Sequence, residues 1–292
     1  MSSPLLPGGQ IGGYEVIAHL RRGNDLDVYD AWSRDRGARC IVKALRGDRL
    51  EKRSPREALL REGEMLERFT HPHIVRAYET LTEPVPAVVL ETLGGKTLAA
   101  LIDEESRADT AGTAHLGIHL GSAIRYMHRN GVVHLDLKPS NVIAEAGRAK
   151  LIDLSLARQP GEMKPGRGTL DYLAPEQARG GYVDASADIW GVGAVLFEAA
   201  TGEAPFDDDP APDPGPTSSS GRTYSESEPG SYPQLERTAR RADSFAPVDG
   251  GLADVIAACL ARNPADRPSV EGLLSRLEGL ARIPRSERRW PA

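Results

Sequence analysis

The chain has 292 residues, 40% of them hydrophobic and 27% charged, the balance of a soluble globular protein long enough for one large domain or two lobes with buried cores. Its formal charge of −6 leaves no global basic field to hold nucleic acid or an anionic membrane. Two cysteines, Cys40 and Cys259, lie far apart in no C-x-x-C spacing, so neither a disulfide framework nor a zinc knuckle is indicated and a reducing cytoplasm is expected.

The start, MSSPLLPGGQIGG, has neither a basic region nor an apolar core, and IWGVGAVLFEAA is too short to span a bilayer; no membrane span is expected. YEVIAHL, LDVYDAW and ARCIVKAL read as strands, being rich in Val, Ile, Tyr and Trp and parted by Gly, Asn and Asp turns. A helix is predicted over 54–69, with Ser54 as cap, Pro55 in the first turn, Glu57 three after the cap, and Leu59, Gly63 and Leu66 on one face. IVRAYETL and AVVLETL add two strands, which makes the first third an antiparallel sheet with one helix.

Helices dominate from Leu98 onward. Leu116, Leu120, Ile124 and Met127 recur at helical spacing and Gly131 follows as a stop, while ADIWGVGAVLFEAA is apolar all round and reads as a buried central helix. Residues 207–233 carry many Pro, Ser and acidic residues and almost no aliphatic ones, the composition of a disordered insertion. Helical patterns resume over 251–280.

The chemistry concentrates in VVHLDLKPSN. Asp136 can orient a hydroxyl and accept its proton, Lys138 can neutralise a transferring phosphoryl group, and Asn141 offers an amide oxygen to a hard divalent cation. Asp153, in LIDLS, is a second carboxylate suited to Mg²⁺, and Lys43 with Glu62 can form an ion pair that positions phosphates. Together these point to phosphoryl transfer. The two histidines of HPHIV flank a proline and have no further ligands nearby, so they do not read as a metal site and His71 reads as support for the loop after the helix; His134 reads as support for the catalytic loop.

With these residues in this order, the chain resembles the bacterial eukaryotic-like Ser/Thr protein kinases over about 11–280. The resemblance implies an α+β, bilobal protein-kinase fold: an N-lobe of antiparallel sheet and one helix over 11–92, a mostly helical C-lobe over 93–282, and tails at 1–10 and 283–292. It implies ATP and Mg²⁺ as cofactors and Ser or Thr of protein substrates as acceptor, with no nucleic-acid partner. By the same resemblance Asp136, Lys138 and Thr169 are catalytic and Asn141 and Asp153 bind metal. ATP is met by Lys43, Glu62, Leu20, Gly23, Val28, Glu91 and Leu93, with Leu90 behind the adenine. GTLDYLAPEQ matches the end of the activation segment, where peptide substrates dock, which argues against a small-molecule kinase. Arg267 matches the usual partner of Glu176.

Three departures stand out. Arg21, Gly23 and Leu26 occupy the positions of three glycines in the phosphate-covering loop, and Asp25 and Asp27 there add negative charge toward ATP. Leu135 stands where an Arg usually answers an activation-loop phosphate, and Ser155 where a Gly is usual. Residues 156–168 hold no Ser, Thr or Tyr, so control by loop phosphorylation is not expected. The eroded loop keeps a second reading open, a pseudokinase acting as a nucleotide-binding or scaffold module.

Overall fold

The computed structural model describes residues 3–105, 107–206 and 232–281, which group into two compact units. The first comprises the residues up to Gly94 together with Asp153–Ser155. Its six-stranded antiparallel sheet runs in the order β1-β2-β3-β4-β6-β5, from strands β1 (Gln10–Ile11), β2 (Tyr14–Arg22), β3 (Leu26–Ser33), β4 (Ala38–Leu45), β5 (Ala77–Leu81) and β6 (Ala87–Glu91). Period-2 alternation puts Cys40, Val42 and Ala44 of β4 on one face, where they join Val16, Tyr29, Ala31 and Val89 in a buried cluster. Lys43 therefore points to the other face, where helix α1 (Arg53–Arg68) packs with Leu59, Glu62, Gly63 and Leu66 buried. Gly63 lets the helix close on β5: a Cβ there would sit 2.2 Å from Thr80 Oγ1.

The second unit comprises Gly95–Ile152 and the residues from Leu156 on. Strand β7 (Lys96–Thr97) leads into α2 (Leu98–Glu105) and α3 (Thr110–Arg129), then the hairpin β8 (Val142–Glu145) and β9 (Arg148–Leu151), with β7, β8 and β9 forming one small sheet. Next come β10 (Gly161–Met163), α4 (Pro175–Arg179), β11 (Gly181–Val183) and α5 (Ala185–Thr201), β10 and β11 pairing antiparallel. Helices α6 (Pro233–Glu236), α7 (Gly250–Cys259) and α8 (Val270–Leu280) complete it. The all-round apolar α5 is buried along almost its whole length, with Trp190, Leu196 and Phe197 fully enclosed. Side-chain caps from Asp109, Asp184 and Ser269 satisfy the first N–H groups of α3, α5 and α8.

Sheet, single helix and helical second unit agree with the expected fold; several local readings differ. Helix α1 starts at Arg53, so Ser54 lies inside it and does not cap it, and Glu57 pairs with Arg53 at 2.6 Å. The helical patterns expected over 251–280 are α7 and α8, parted by a 3₁₀ turn at Pro264–Asp266. Of the expected insertion, residues 207–231 lie outside the described residues, while Pro233 already opens α6. Both cysteines are buried free thiols. No helix among the described residues is long and apolar enough to cross a membrane.

Candidate active site

In the first unit the sheet and α1 converge on Lys43. Its ammonium lies 2.7 Å from Glu62 Oε1 and 3.5 Å from Asp153 Oδ2, and Leu154 N–H donates to the same Glu62 oxygen at 3.1 Å. Burial alone would lower the lysine, but the carboxylates of Asp153 and Glu62 outweigh it and hold it up at about 12, so it stays charged at every physiological pH. Burial pushes the Glu62 carboxyl upward, with Lys43 the main opposing influence. Each partner therefore depends on the other: an unpaired charge at either position would bear the full cost of desolvation.

The remaining residues expected to meet nucleotide lie on the same unit. Val28 pairs with Lys43 across β3 and β4, and Leu20 on β2 is exposed. Glu91 ends β6, where its N–H donates to Arg76 O and its carboxylate accepts from Arg76 N, each at 2.9 Å; Leu93 follows two residues on, outside the strand. Leu90 is buried between Ile41 and Ala77 of the neighbouring strands.

The turn between β2 and β3 holds a group that sequence reasoning missed. Arg46 Nη1 donates to Gly23 O at 3.0 Å and Asn24 O at 2.9 Å, and its backbone N–H donates to Asp25 O at 2.9 Å. The negative charge expected to repel ATP is also answered: Asp25 pairs with Arg49 at 3.3 Å, and buried Asp27 meets His19 Nε2 at 3.1 Å and Arg22 at 3.7 Å. Side-chain donors thus hold a turn that the missing glycines do not shape.

In the second unit, Asp136 sits at the centre of a small network. Thr169 Oγ1–H donates to its Oδ1 at 2.8 Å; Lys138 Nζ lies 3.1 Å from its Oδ2 and donates to Thr169 Oγ1 at 2.6 Å. Asn141 Nδ2 donates to Asp136 O at 2.9 Å and to Oδ2 at 3.1 Å. The structure thus brings together Asp136, Lys138, Asn141 and Thr169, four residues named from sequence. The loop beneath is held by Asp188 at the start of α5, whose buried carboxylate accepts from His134 N and Leu135 N, each at 2.8 Å, and meets His128 Nε2 at 2.7 Å. His134 Nδ1 accepts from Asp136 N at 3.2 Å. In the sequence Asp188 reads as an ordinary acid in the first turn of α5, with nothing to mark the loop it serves.

The segment leading to Thr169 is tied down by backbone hydrogen bonds. Val133 and Arg158 exchange two backbone hydrogen bonds, at 2.8 and 3.0 Å; β10 pairs with β11; and Gly166 N–H donates to Gln177 O at 2.9 Å. Tyr172 O–H donates to Glu198 at 2.6 Å, and burial together with that carboxylate holds its phenol well above its usual value. Arg267 makes a bidentate pair with Glu176, at 2.6 and 2.8 Å.

The donor sets suit Mg²⁺–ATP. Asn141 directs its N–H₂ group at Asp136, which leaves the amide oxygen to face a hard cation, and Asp153 keeps a carboxylate that is 30% exposed. Among the described residues no cluster of three or more His, Cys, Asp or Glu forms a metal cage.

Residues 14–277 match the family model described as the protein kinase domain. The chain is 33% identical over 219 residues to the probable serine/threonine-protein kinase SCO3848 of Streptomyces coelicolor, covering 70% of this chain and 32% of that protein. It is 32% identical over 214 residues to serine/threonine-protein kinase PknB of Mycobacterium tuberculosis, covering 69% and 33%. It thus spans about a third of the length of these curated relatives. The kinase domain of PknI from Mycobacterium tuberculosis shares the fold, with a TM-score of 0.71 at 21% identity over 96% of this chain and 100% of that one.

Proposed function

The chain belongs to the protein kinase family, and we propose that it is an active ATP- and Mg²⁺-dependent kinase acting on Ser and Thr hydroxyls of protein substrates. The observation that carries this reading is the network on Asp136: a carboxylate fixed by three side chains, with a lysine against it and a cation-ready amide beside it. For the kinase lobes we propose the boundaries 11–92 and 93–282. Free Cys40 and Cys259 favour a cytoplasmic setting.

Bound Mg²⁺–ATP supplies the transferable phosphoryl group and a divalent charge to offset the charge that develops on its oxygens. Lys43, held charged by Glu62, binds and orients the phosphates. Asp153 and Asn141 would each offer an oxygen to the cation. Asp136 Oδ2 is occupied by Asn141 and Lys138, so the proton lost by the substrate hydroxyl passes to Oδ1, which carries one hydrogen bond, from Thr169. Lys138 places a positive charge where the transferring group becomes most negative.

Asp136→Asn is expected to reduce transfer by about a thousandfold or more with the thermal transition retained, because positioning and charge supply nearly all the catalysis in this class. Radiolabelled ATP with generic basic protein substrates is the assay. A second reading, a pseudokinase module, is favoured by Arg21 and Leu26 in place of glycines. Wild-type protein that binds nucleotide in a thermal-shift titration yet transfers nothing to itself or to any substrate would establish that reading instead.

A further inference from the structure

Gln177, on α4, is only 2% exposed. Its Nε2 donates to Leu135 O at 2.8 Å and to Arg167 O at 3.3 Å, while its Oε1 accepts from Ala174 N at 3.2 Å. The two carbonyls belong to two different segments. Leu135 immediately precedes Asp136, and Arg167 lies two residues before Thr169, whose hydroxyl meets Asp136. One carboxamide therefore ties together the two backbone stretches that form the Thr169–Asp136 hydrogen bond.

Two further observations show that the junction is tightly set. Leu135 is held at φ +65, a left-handed conformation that costs a side-chain-bearing residue about 1–2 kcal/mol, and it turns its carbonyl toward the amide while its N–H is taken by Asp188. Gly168, at φ +135, passes so close that a Cβ there would lie 2.6 Å from Leu173, 3.4 Å from Leu135 O and 3.6 Å from Gln177 Nε2. Three chain segments meet on one neutral amide with no room for a larger group.

Resting on the kinase reading, we propose that Gln177 is a positioning residue for the phosphoryl-transfer reaction: it docks the segment before Thr169 onto the loop before Asp136. The residue types agree. Leu135 cannot bind a phosphate and 156–168 offer no hydroxyl to carry one, whereas an amide bridging two carbonyls needs neither modification nor charge.

The test compares Gln177→Met, which keeps length and removes the donor, with Gln177→Glu, which keeps shape and is acceptor-only when ionised, so that it faces two carbonyl oxygens with repulsion. The expected order of kcat is wild type, then Met, then Glu, with losses of about 10- to 100-fold, while KM for ATP stays within about twofold, because Gln177 touches no nucleotide-binding group. Hydrogen exchange over 164–173 should quicken in both variants, with β2 to β4 unchanged. A Met variant with kcat within twofold of wild type, or equal losses for Met and Glu, overturns the proposal, as does unaltered exchange over 164–173. Should wild-type protein transfer phosphate to nothing, the kinase reading falls and the exchange measurement alone decides whether Gln177 fastens the segment.

Discussion

Thr169 offers a sharp test of how Asp136 is held, because its hydroxyl is both donor and acceptor in one small network. Thr169→Ala removes the 2.8 Å bond to Asp136 Oδ1 and the 2.6 Å bond from Lys138, leaving Asp136 Oδ2 with Asn141 and Lys138 but Oδ1 without its fixed donor. A hydrogen bond to a charged group is worth roughly 1.5–3 kcal/mol, and Thr169 is buried, so water does not readily replace the hydroxyl. If that orientation is needed in the transition state, kcat falls by about 10- to 150-fold at unchanged KM for ATP. Thr169→Ser keeps the hydroxyl and should stay within a few-fold of wild type. The measurement uses phosphatase-treated protein and begins at mixing, since the same geometry predicts turnover without a lag and at the rate of untreated protein. A long lag removed by pre-incubation with ATP, with a phosphate mapped to Thr169, would refute the reasoning; so would an Ala variant as fast as wild type.

Two other substitutions probe different parts of the structure. Arg267→Met leaves Glu176 without its bidentate partner and strips Ser186 O and Ala261 O of a donor; with a guanidinium side chain at 0% exposure, about 3–5 kcal/mol is at stake. The thermal midpoint should fall by roughly 10 °C, and Glu176→Gln combined with Arg267→Met should lose less than Arg267→Met alone; a double variant worse than the single one would mean that the pair is not the source. Replacing Arg21 and Leu26 by Gly should lower KM for ATP by about threefold or more by opening backbone access to the phosphates, while Arg46 and Arg49 keep the turn tethered. A raised or unchanged KM would show that this turn has a working geometry of its own.

The candidate site residues stood out in the sequence because their polarity conflicts with their surroundings: Lys43 in CIVKAL and Asp136 after VVHL break apolar runs at positions where burial is otherwise the rule. The buried α5 was legible from apolar residues on every side. The groups that hold the chemistry in place were not. Arg46 reaches the carbonyls of Gly23 and Asn24, more than twenty residues away in sequence, and a side chain bonded to backbone leaves no periodic or paired signal. Asp188 looks like an ordinary acid in the first turn of a helix, yet its carboxylate serves His134 and Leu135. Ser54 does not cap α1: the helix begins one residue earlier, at Arg53, with Lys52 at the cap and no side-chain cap bond.

Leu135 connects these threads. The left-handed backbone at this position penalises leucine and arginine to a similar degree, so the φ of +65 does not explain why leucine stands there in place of arginine. Its burial does, at 4% exposure: the side chain contributes apolar packing on the order of 1.5–3 kcal/mol, enough to offset the strained backbone, while its N–H and C=O are fixed by Asp188 and Gln177. An arginine there would have to send its charge out to a partner for the loop to be held, and stability of the loop would then depend on that partner's presence. With leucine the position belongs to the core. The loop that presents Asp136 is consequently supported by groups that the protein always carries, which is the physical ground for expecting turnover that does not wait on phosphorylation of the segment before Thr169.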